Sequence, residues 1–568
     1  MVTVLSDKTS GSRRTRRDGR MLDPRTGRPL QCLAVADVDL DTGTTTMLEP
    51  LTAPEGLPQG VHALVWFHGR PIGEVTALGP LDEVRRDLVQ LARAKLADTC
   101  QLHLLHDALS TPGGLARARR EGLEALSHPD DNQLPAEPTP SLSIAVCTRD
   151  RPDNLRSCLE ALRALRDPVH EIVVIDNASS DERSRHVVAE FEGIRYVREP
   201  RRGLDWARNR ALLEASGELL AYVDDDVDVH PAWVGGLLRA FLEEPAAVAV
   251  TGLVVPRELS TPAQVLFEAL GGFGRGYRRK WFSVAVHEGA VAAKSFGASG
   301  VAGTGANMAF RRQAALDLGG FDTALGVGTV TSGGDDLEML FRVVATGGLI
   351  VYEPSAVVRH AHRSDLPGLL RQMRGNGTGA YSYFLGAGRC YGGMERRQFP
   401  RLAARSFVQH EVGGYLDAVR RPRRLPLRMR LAQTRGAFEA VTGSYYRRAQ
   451  RQAAQELSDH QGPMPPDLVR SAVPATGGAA PSTIGVELCG QQAVQVSAAD
   501  ATSRSAWCEV RLTCEGQLRR TITCFTGGSP LSSARLRWEL VDQVGVSMLD
   551  GVAAGGSATA GTGPARSR

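Results

Sequence analysis

The sequence predicts an α/β fold in which a Rossmann-like, mainly parallel sheet is flanked by helices. A small N-terminal α+β module precedes it and a helical C-terminal extension follows. Three observations carry this. First, LSIAVCT (142–148) is a short apolar run ending in the polar loop TRDRPDN, and EIVVIDN (171–177) is a second such run. Between them a helix carries Leu155, Leu159, Leu162 and Leu165 on one side. Strand, helix and strand at that spacing form a βαβ unit, whose crossover makes the strands parallel. Second, the alternation repeats through IRYVRE, a helix from about Asp205 to Ala215, ELLAYVDDD, a helix around Trp233–Glu243, and AVAVTGLVV. Third, the text on either side has a different character, strand-rich before and helical and basic after.

Residues 1–20 carry Arg13, Arg14, Arg16, Arg17 and Arg20 and form a basic tail expected to be disordered; Met21 is an alternative start. The α+β module spans 21–127. LQCLAVADVDL is strand-like, and in HALVWFHGRPIGEVTAL the HGRP segment marks a turn between two strands. A helix with Leu81, Val84, Leu88, Leu91 and Ala92 at helical spacing follows. Residues 128–140 are polar and Pro-rich, a linker by composition. The α/β domain occupies 141–365, and its ligands are expected at the carboxyl ends of the strands. A basic helical extension covers 366–460, with Arg420, Arg421, Arg423, Arg424, Arg428 and Arg430 clustered in it. After that, 461–568 is loosely organised and ends in the low-complexity GGSATAGTGPARSR.

Composition narrows the function. With 568 residues the chain has room for roughly three to four domains. Its 67 Lys+Arg against 63 Asp+Glu leave a formal charge of +4, which argues against global attraction to nucleic acid. The 42% hydrophobic and 23% charged residues are ordinary for a globular protein. No apolar run is long enough for a conventional transmembrane helix, and no apolar segment follows the N-terminal arginines as a signal peptide requires. Nine cysteines without a CxxC pair make neither a disulfide scaffold nor a cysteine zinc site. The expected address is the cytoplasm.

The strongest chemical signal is Asp224-Asp225-Asp226, with Asp228, directly after the apolar ELLAYV. Carboxylates about 4 Å apart repel by roughly 4 kcal/mol per pair at an effective dielectric of about 20. A divalent cation removes that penalty, and oxygen ligands suit Mg²⁺ or Mn²⁺. The bland alternative is a solvated acidic loop, which the position at the end of a buried strand disfavours. A second signal is Gly333-Gly334-Asp335-Asp336-Leu337-Glu338, where acids enter an apolar helix pattern. Taken alone, acids in a first helical turn are good capping. The third is Val357-Val358-Arg359-His360-Ala361-His362, whose histidines close a β-like run. A lone His is usually structural; one beside a carboxylate cluster can hold a metal or phosphate.

In order and spacing these segments resemble the family 2 glycosyltransferases of the GT-A fold, over about residues 141–365. The pieces are SIAVCTRDRPDNLRSCLEAL, EIVVIDNASSD, RRGLDWARNRAL, LLAYVDDDVDVHPAW, GTGANMAFRRQAALDLGGFD, GGDDLEMLFR and VVRHAH. The resemblance implies that Thr148 and Asp150 lie at the nucleotide, and that Asp176 accepts a pyrimidine N–H, which suits a UDP- or dTDP-sugar. Arg208 and Asn209 flank the nucleotide. Asp224 and Asp226 form the DxD motif, with Asp226 the direct metal ligand and Asp225 near the sugar. Asn307 falls in an acceptor-side or sugar-side loop. Asp336 matches the general base, beside Asp335, with Glu338 as orienter, and His360 approaches the metal or diphosphate. The departures are Asp335 where such families often have Glu, and Asp150 where Asn is usual. No QxxRW follows the base, which with the lack of transmembrane runs disfavours a processive synthase.

The implied activity is single-addition, inverting transfer of a sugar from a nucleotide-diphosphate sugar to an acceptor hydroxyl, with Mg²⁺ or Mn²⁺ and a carboxylate base. The acceptor class is a glycan, a lipid-linked molecule or a small molecule; no nucleic acid is expected. Two alternatives stand beside it. A sugar-nucleotide nucleotidyltransferase would want a Gly-rich phosphate loop after the first strand, and CTRDRPDN has no glycine. A non-catalytic nucleotide-sugar binding protein would have no need of a base. The basic helical stretch is either a solvated face or a peripheral contact at the inner face of the membrane.

Overall fold

Both runs of the predicted βαβ unit are adjacent strands toward one edge of a nine-stranded sheet. The structure, a computed structural model, describes residues 3–4, 30–48, 57–125, 139–283, 300–390, 427–466, 482–487, 494, 507–514, 517–526 and 531–548. Most of the expected tail at 1–20, residues 128–138 of the linker, Arg420, Arg421, Arg423, Arg424 and the terminal GGSATAGTGPARSR lie outside them. The chain divides into two units, Met1–Leu96 with Pro129–Gly477, and Ala97–His128 with Gly478–Arg568. The expected module at 21–127 is therefore split at Leu96.

The first unit begins with a five-stranded sheet: β1 (Thr3–Val4), β2 (Ala34–Asp39), β3 (Thr44–Met47), β4 (Gly60–Phe67) and β5 (Arg70–Leu78), in the order β1-β5-β4-β2-β3. The β4–β5 hairpin turns on His68 and Gly69, both at positive φ (50° and 71°), which matches the right-handed strand twist. Helix α1 (Leu81–Lys95) buries Val84, Leu88 and Ala92 at the expected spacing.

The large sheet contains β6 (Leu142–Thr148), β7 (Glu171–Asn177), β8 (Ile194–Glu199), β9 (Leu219–Asp224), β10 (Val227–Val229), β11 (Ala247–Pro256), β12 (Lys280–Phe282), β13 (Asn307–Arg311) and β14 (Leu349–His360). Its order is β10-β14-β11-β13-β9-β6-β7-β8, with β12 also on β14. Strands β8, β7, β6 and β9 are parallel. Antiparallel β13 separates them from the parallel pair β11–β14, which consequently runs in the same direction as β6. The sheet is thus mainly parallel, and its carboxyl ends form one rim.

Helices cover both faces, which is why the strands read as continuous apolar runs. Alternate residues face opposite ways along a strand. Leu142, Ile144 and Val146 pack with α2 (Pro152–Arg163), α3 (Arg183–Ala189) and α5 (Trp233–Glu243). Ala145 and Cys147 pack with α4 (Leu204–Glu214) and α7 (Asp335–Ala345). The first sheet braces β14: Trp66 Nε1 and Arg359 Nη2 both donate to Asp37 Oδ1, at 2.8 and 2.6 Å, and Trp66 stacks on His230 at 4.4 Å.

The expected helical extension contains α8 (Leu366–Cys390), α9 (Leu427–Thr442) and α10 (Tyr445–Asp459), which follow α6 (Pro262–Ala269) and α7 in the chain. Helices α8 and α9 meet backbone to backbone. A Cβ on Gly377 would stand 2.0 Å from the Gln433 carbonyl oxygen, and one on Gly436 2.0 Å from that of Arg374. The other edge of α8 meets the loop before α7, where a Cβ on Gly334 would lie 2.5 Å from the Gly379 carbonyl oxygen. Gly334 of GGDD therefore serves a close approach. Gly377→Ala is expected to destabilise the protein by about 1–3 kcal/mol through overpacking, despite its gain in helix propensity; thermal unfolding of the two proteins compares them.

In the second unit, helices Ala97–Ser110 and Gly114–Glu121 share a core with strands Ser482–Glu487, Trp507–Cys514 and Gln517–Phe525 and helix Ser533–Gln543. Leu105, Leu109 and Leu115 pack with Val510, Leu512, Ile522, Leu536 and Leu540. The stretch expected to be loosely organised thus includes a three-stranded sheet, completed by residues far upstream.

Candidate active site

Four chain segments reach the same rim. Strand β6 delivers Thr148, whose hydroxyl donates to Asp225 Oδ2 at 2.8 Å. The next loop passes through Asp150 at φ 54°, a left-handed conformation stabilised by its own side chain. Asp150 Oδ1 accepts from the Ser180 amide (2.6 Å) and hydroxyl (2.8 Å), and its amide donates to Ser179 Oγ at 3.0 Å. The loops after β6 and β7 are thereby pinned together, and these bonds hold the Asp150 carboxyl below its ordinary pKa. Arg151 then points one nitrogen, Nη1, at Asp225 Oδ1 (3.0 Å) and Asp226 Oδ2 (3.2 Å).

Strand β9 ends in the acidic run. Burial, opposed by Arg208, pushes the Asp224 carboxyl up to about 7, and burial, opposed by Arg151, takes Asp225 to about 6. Pairing of β10 with β14 sets Val227 opposite His360 and brings His360 Nε2 within 3.4 Å of Asp226 Oδ1. Behind it, His360 Nδ1 lies 3.2 Å from His362 Nδ1, and His362 Nε2 lies 2.6 Å from Glu268 Oε1. With Nε2 of His362 donating to Glu268, its Nδ1 is left to accept. His360 then donates from Nδ1 and turns an unprotonated Nε2 toward Asp226; this tautomer is assigned from the network. Burial, ahead of the opposing pull of Asp226, lowers the His360 pKa to about 4, which keeps that ring neutral. A nitrogen lone pair thus faces a carboxylate oxygen, while Arg151 and Arg363 stand 3.2 and 3.9 Å from Asp226 Oδ2. One imidazole with carboxylates is a donor set that fits Mn²⁺, and Mg²⁺ less well.

The second acid pair opens α7, after Gly334 in the left-handed conformation (φ 89°). Buried Arg208, from α4, joins the two pairs. It forms a short ion pair with Asp335, and stands 3.4 Å from Asp205 Oδ1 and 3.9 Å from Asp224 Oδ1, with Phe321 under its guanidinium at 5.3 Å. Asp336 is half-buried and accepts from the Gly305 amide at 2.9 Å and the Leu337 amide at 2.8 Å. Burial first, and then the charge of Asp335, raise its pKa above the ordinary carboxylate value, against the pull of Arg208 and the two amides.

Other residues singled out from the sequence are committed elsewhere. Fully buried Asp176 accepts from the Ser179 amide (3.1 Å) and the Tyr196 hydroxyl (2.6 Å). Asn307 is also fully buried; its amide donates to the Leu253 and Ala356 carbonyls and accepts from Trp233 Nε1, so it ties strands and a helix together rather than facing a cleft. Asn209 clamps the Phe321 backbone, and Glu338 pairs with buried Arg342. Sequence reasoning passes over Arg151, Asp205, Glu268 and the Gly305 amide. Of these, Arg151 alone carries a local signal, as a cation in the loop after the first strand.

A mainly parallel sheet whose rim gathers an Asp-Asp-Asp turn and a second acid pair opening a helix defines the GT-A fold. Within it, residues 143–296 match the family model described as Glycosyl transferase family 2, and the chain carries a domain of that family. The match ends before Asp335, Asp336 and His360. The pre-mycofactocin glycosyltransferase of Mycobacterium tuberculosis (strain CDC 1551 / Oshkosh) is 27% identical over 313 residues, which are 55% of this chain and 60% of that relative. The chain thus spans about three-fifths of that relative's length. The glucosyl-dolichyl phosphate glucuronosyltransferase of Haloferax volcanii is 25% identical over 229 residues, 39% of this chain and 68% of the relative. A solved mannosyltransferase of Pyrobaculum calidifontis, in complex with GDP-Man and Mn²⁺, covers 64% of this chain and 99% of its own at 20% identity, with a TM-score of 0.34, too low to carry an inference.

Proposed function

We propose that the chain moves a single sugar from a nucleotide-diphosphate sugar to an acceptor hydroxyl with inversion, using a divalent metal and a carboxylate base. The observation that carries this reading is the guanidinium of Arg208 shared between Asp224 and Asp335, which makes one site of two acid pairs far apart in the chain. Asp226 and His360 would hold the metal, with Asp224 at its margin; when bound, the metal offsets negative charge developing on the departing diphosphate. Thr148 and Asp150 stand where β6 ends, and the nucleotide of a UDP- or dTDP-sugar is proposed to lie there, with buried Asp176 holding the adjoining loop through the Ser179 amide. Asp225 is placed nearer the sugar.

Asp336 takes the acceptor proton. A base must be free of it at the working pH yet basic enough to hold it, and partial burial supplies the upward pKa shift that this needs. The Gly305 and Leu337 amides fix the carboxylate in place. Attack in one displacement inverts the anomeric centre. Nucleoside diphosphate release, measured over a panel of nucleotide-sugars with and without candidate acceptors, with Mn²⁺ or EDTA, tests the reading. Turnover unaffected by EDTA, or no turnover of any donor, would remove it.

The histidine relay makes a separate prediction. Glu268→Ala removes the acceptor that fixes the His362 proton on Nε2, so His360 loses its fixed tautomer. Groups behind a metal ligand typically contribute about 10–100-fold to metal affinity. Mn²⁺ binding, followed by the electron paramagnetic resonance of the free ion, is expected to weaken by that factor; unchanged affinity would show that the relay is only structural.

A further inference from the structure

The outward face of α9 is apolar where a helix on a water-facing surface should be polar. Leu427 is 54% exposed, Leu431 50%, Phe438 60% and Val441 47%. They recur at helical spacing, while Met429, Gly436, Ala437 and Ala440 form the opposite, buried face. Arginines accompany the stripe: Arg428 and Arg435 are exposed on α9, and Arg447, Arg448 and Arg451 on α10. Glu439 is the only acid between Leu427 and Arg451, and it is already held by Arg374 and Arg435. Contiguous exposed apolar side chains with five exposed arginines to one acid match a bilayer surface carrying anionic lipid. The apolar stripe enters the headgroup and acyl boundary and the guanidinium groups meet lipid phosphates. Among the described residues no helix is long and apolar enough to cross a membrane, so a contact of this kind would lie along the surface.

We infer that the outward face of α9, centred on Leu431 and Phe438, docks the protein on an anionic membrane surface. The face is mechanically close to the site described above. Helix α9 meets α8 through Gly436 and Gly377, and α8 meets the start of α7 through Gly379 and Gly334, in each case without intervening side chains. The inference itself rests on the surface and not on the proposed reaction.

The test is flotation of the full-length protein with vesicles of phosphatidylcholine alone and of phosphatidylcholine with about one-third phosphatidylglycerol, at low and high salt. Binding is expected to the anionic vesicles only, and to weaken as salt rises. Leu431→Ser with Phe438→Ser should reduce it at least tenfold, at about tenfold per apolar side chain. Arg428→Gln with Arg435→Gln should reduce it by about fivefold for each charge. Both pairs are exposed, so unfolding temperatures should stay close to wild type. Absence of binding at low salt overturns the inference. So does a concentration-dependent dimer abolished by Leu431→Ser with Phe438→Ser, which would assign the face to a second copy of the chain. Normal vesicle binding by a protein that turns over no nucleotide-sugar would leave the inference standing and remove the proposed function.

Discussion

Replacing Asp336 with Asn is expected to lower the rate of sugar transfer by about 10²–10⁴-fold, the usual contribution of a positioned general base. Nucleotide and Mn²⁺ affinities should stay within about twofold, because Asp336 touches the Gly305 and Leu337 amides and no member of the Asp226–His360 group. The two amides donate to different oxygens, so the amide oxygen of Asn keeps one of those hydrogen bonds, and the substitution removes basicity with little change of shape. The pH profile gives a second, independent signature. A base works only when deprotonated, so activity should rise with pH through the Asp336 pKa. That limb should lie above the ordinary carboxylate range, since burial and Asp335 both raise it. Asp335→Asn removes one of those causes and should move the limb to lower pH. Near-full transfer by Asp336→Asn, or an acid limb indifferent to Asp335, would assign the proton to another group.

The parts of this site that could be read from sequence are those whose signal is local. Asp224 and Asp226 are legible because an apolar run stops abruptly at them, and strands of a parallel sheet end at its binding rim. Asp336 is legible as an acid at the start of an amphipathic helix, and His360 as the polar end of a β-like run. What escapes is whatever depends on pairing across the sheet. His360 meets Asp226 because β10 pairs with β14 in one register, and no property of either segment announces that register. Glu268 is fixed behind His362 by a helix nearly a hundred residues upstream, where it reads as an ordinary surface acid. Asn307 shows the reverse case. It stands in a motif-like stretch, yet its amide is consumed by Trp233, Leu253 and Ala356. The joining of Ala97–His128 to Gly478–Arg568 is invisible for the same reason, since neither stretch buries its apolar face alone.

Arg208→Ala is expected to cost about 3–5 kcal/mol of stability, the range for stranding buried charge by removal of one partner. Three carboxylates depend on this guanidinium, and Asp205 is almost fully buried. Burial ahead of Arg208, with Asp335 adding to it, already lifts the Asp205 carboxyl well above its ordinary value. Without the arginine, Asp205 can remain inside only by taking up a proton. A carboxyl with a raised pKa in the folded state binds more protons there than in the unfolded chain, so stability falls as pH rises past the unfolded value near 4. The deficit of the variant should therefore be larger at pH 8 than at pH 5, which unfolding measured across that window would show. Arg208→Lys keeps the charge but loses the planar fork that reaches several acids at once, and should fall between the two. A loss below about 1 kcal/mol, independent of pH, would mean that the three acids do not rely on Arg208. The same stranding predicts a functional consequence, because Asp224 and Asp335 lose the cation they share. Activity of Arg208→Lys should then drop further than its stability at the assay temperature explains, whereas a purely structural arginine would let the two losses run together.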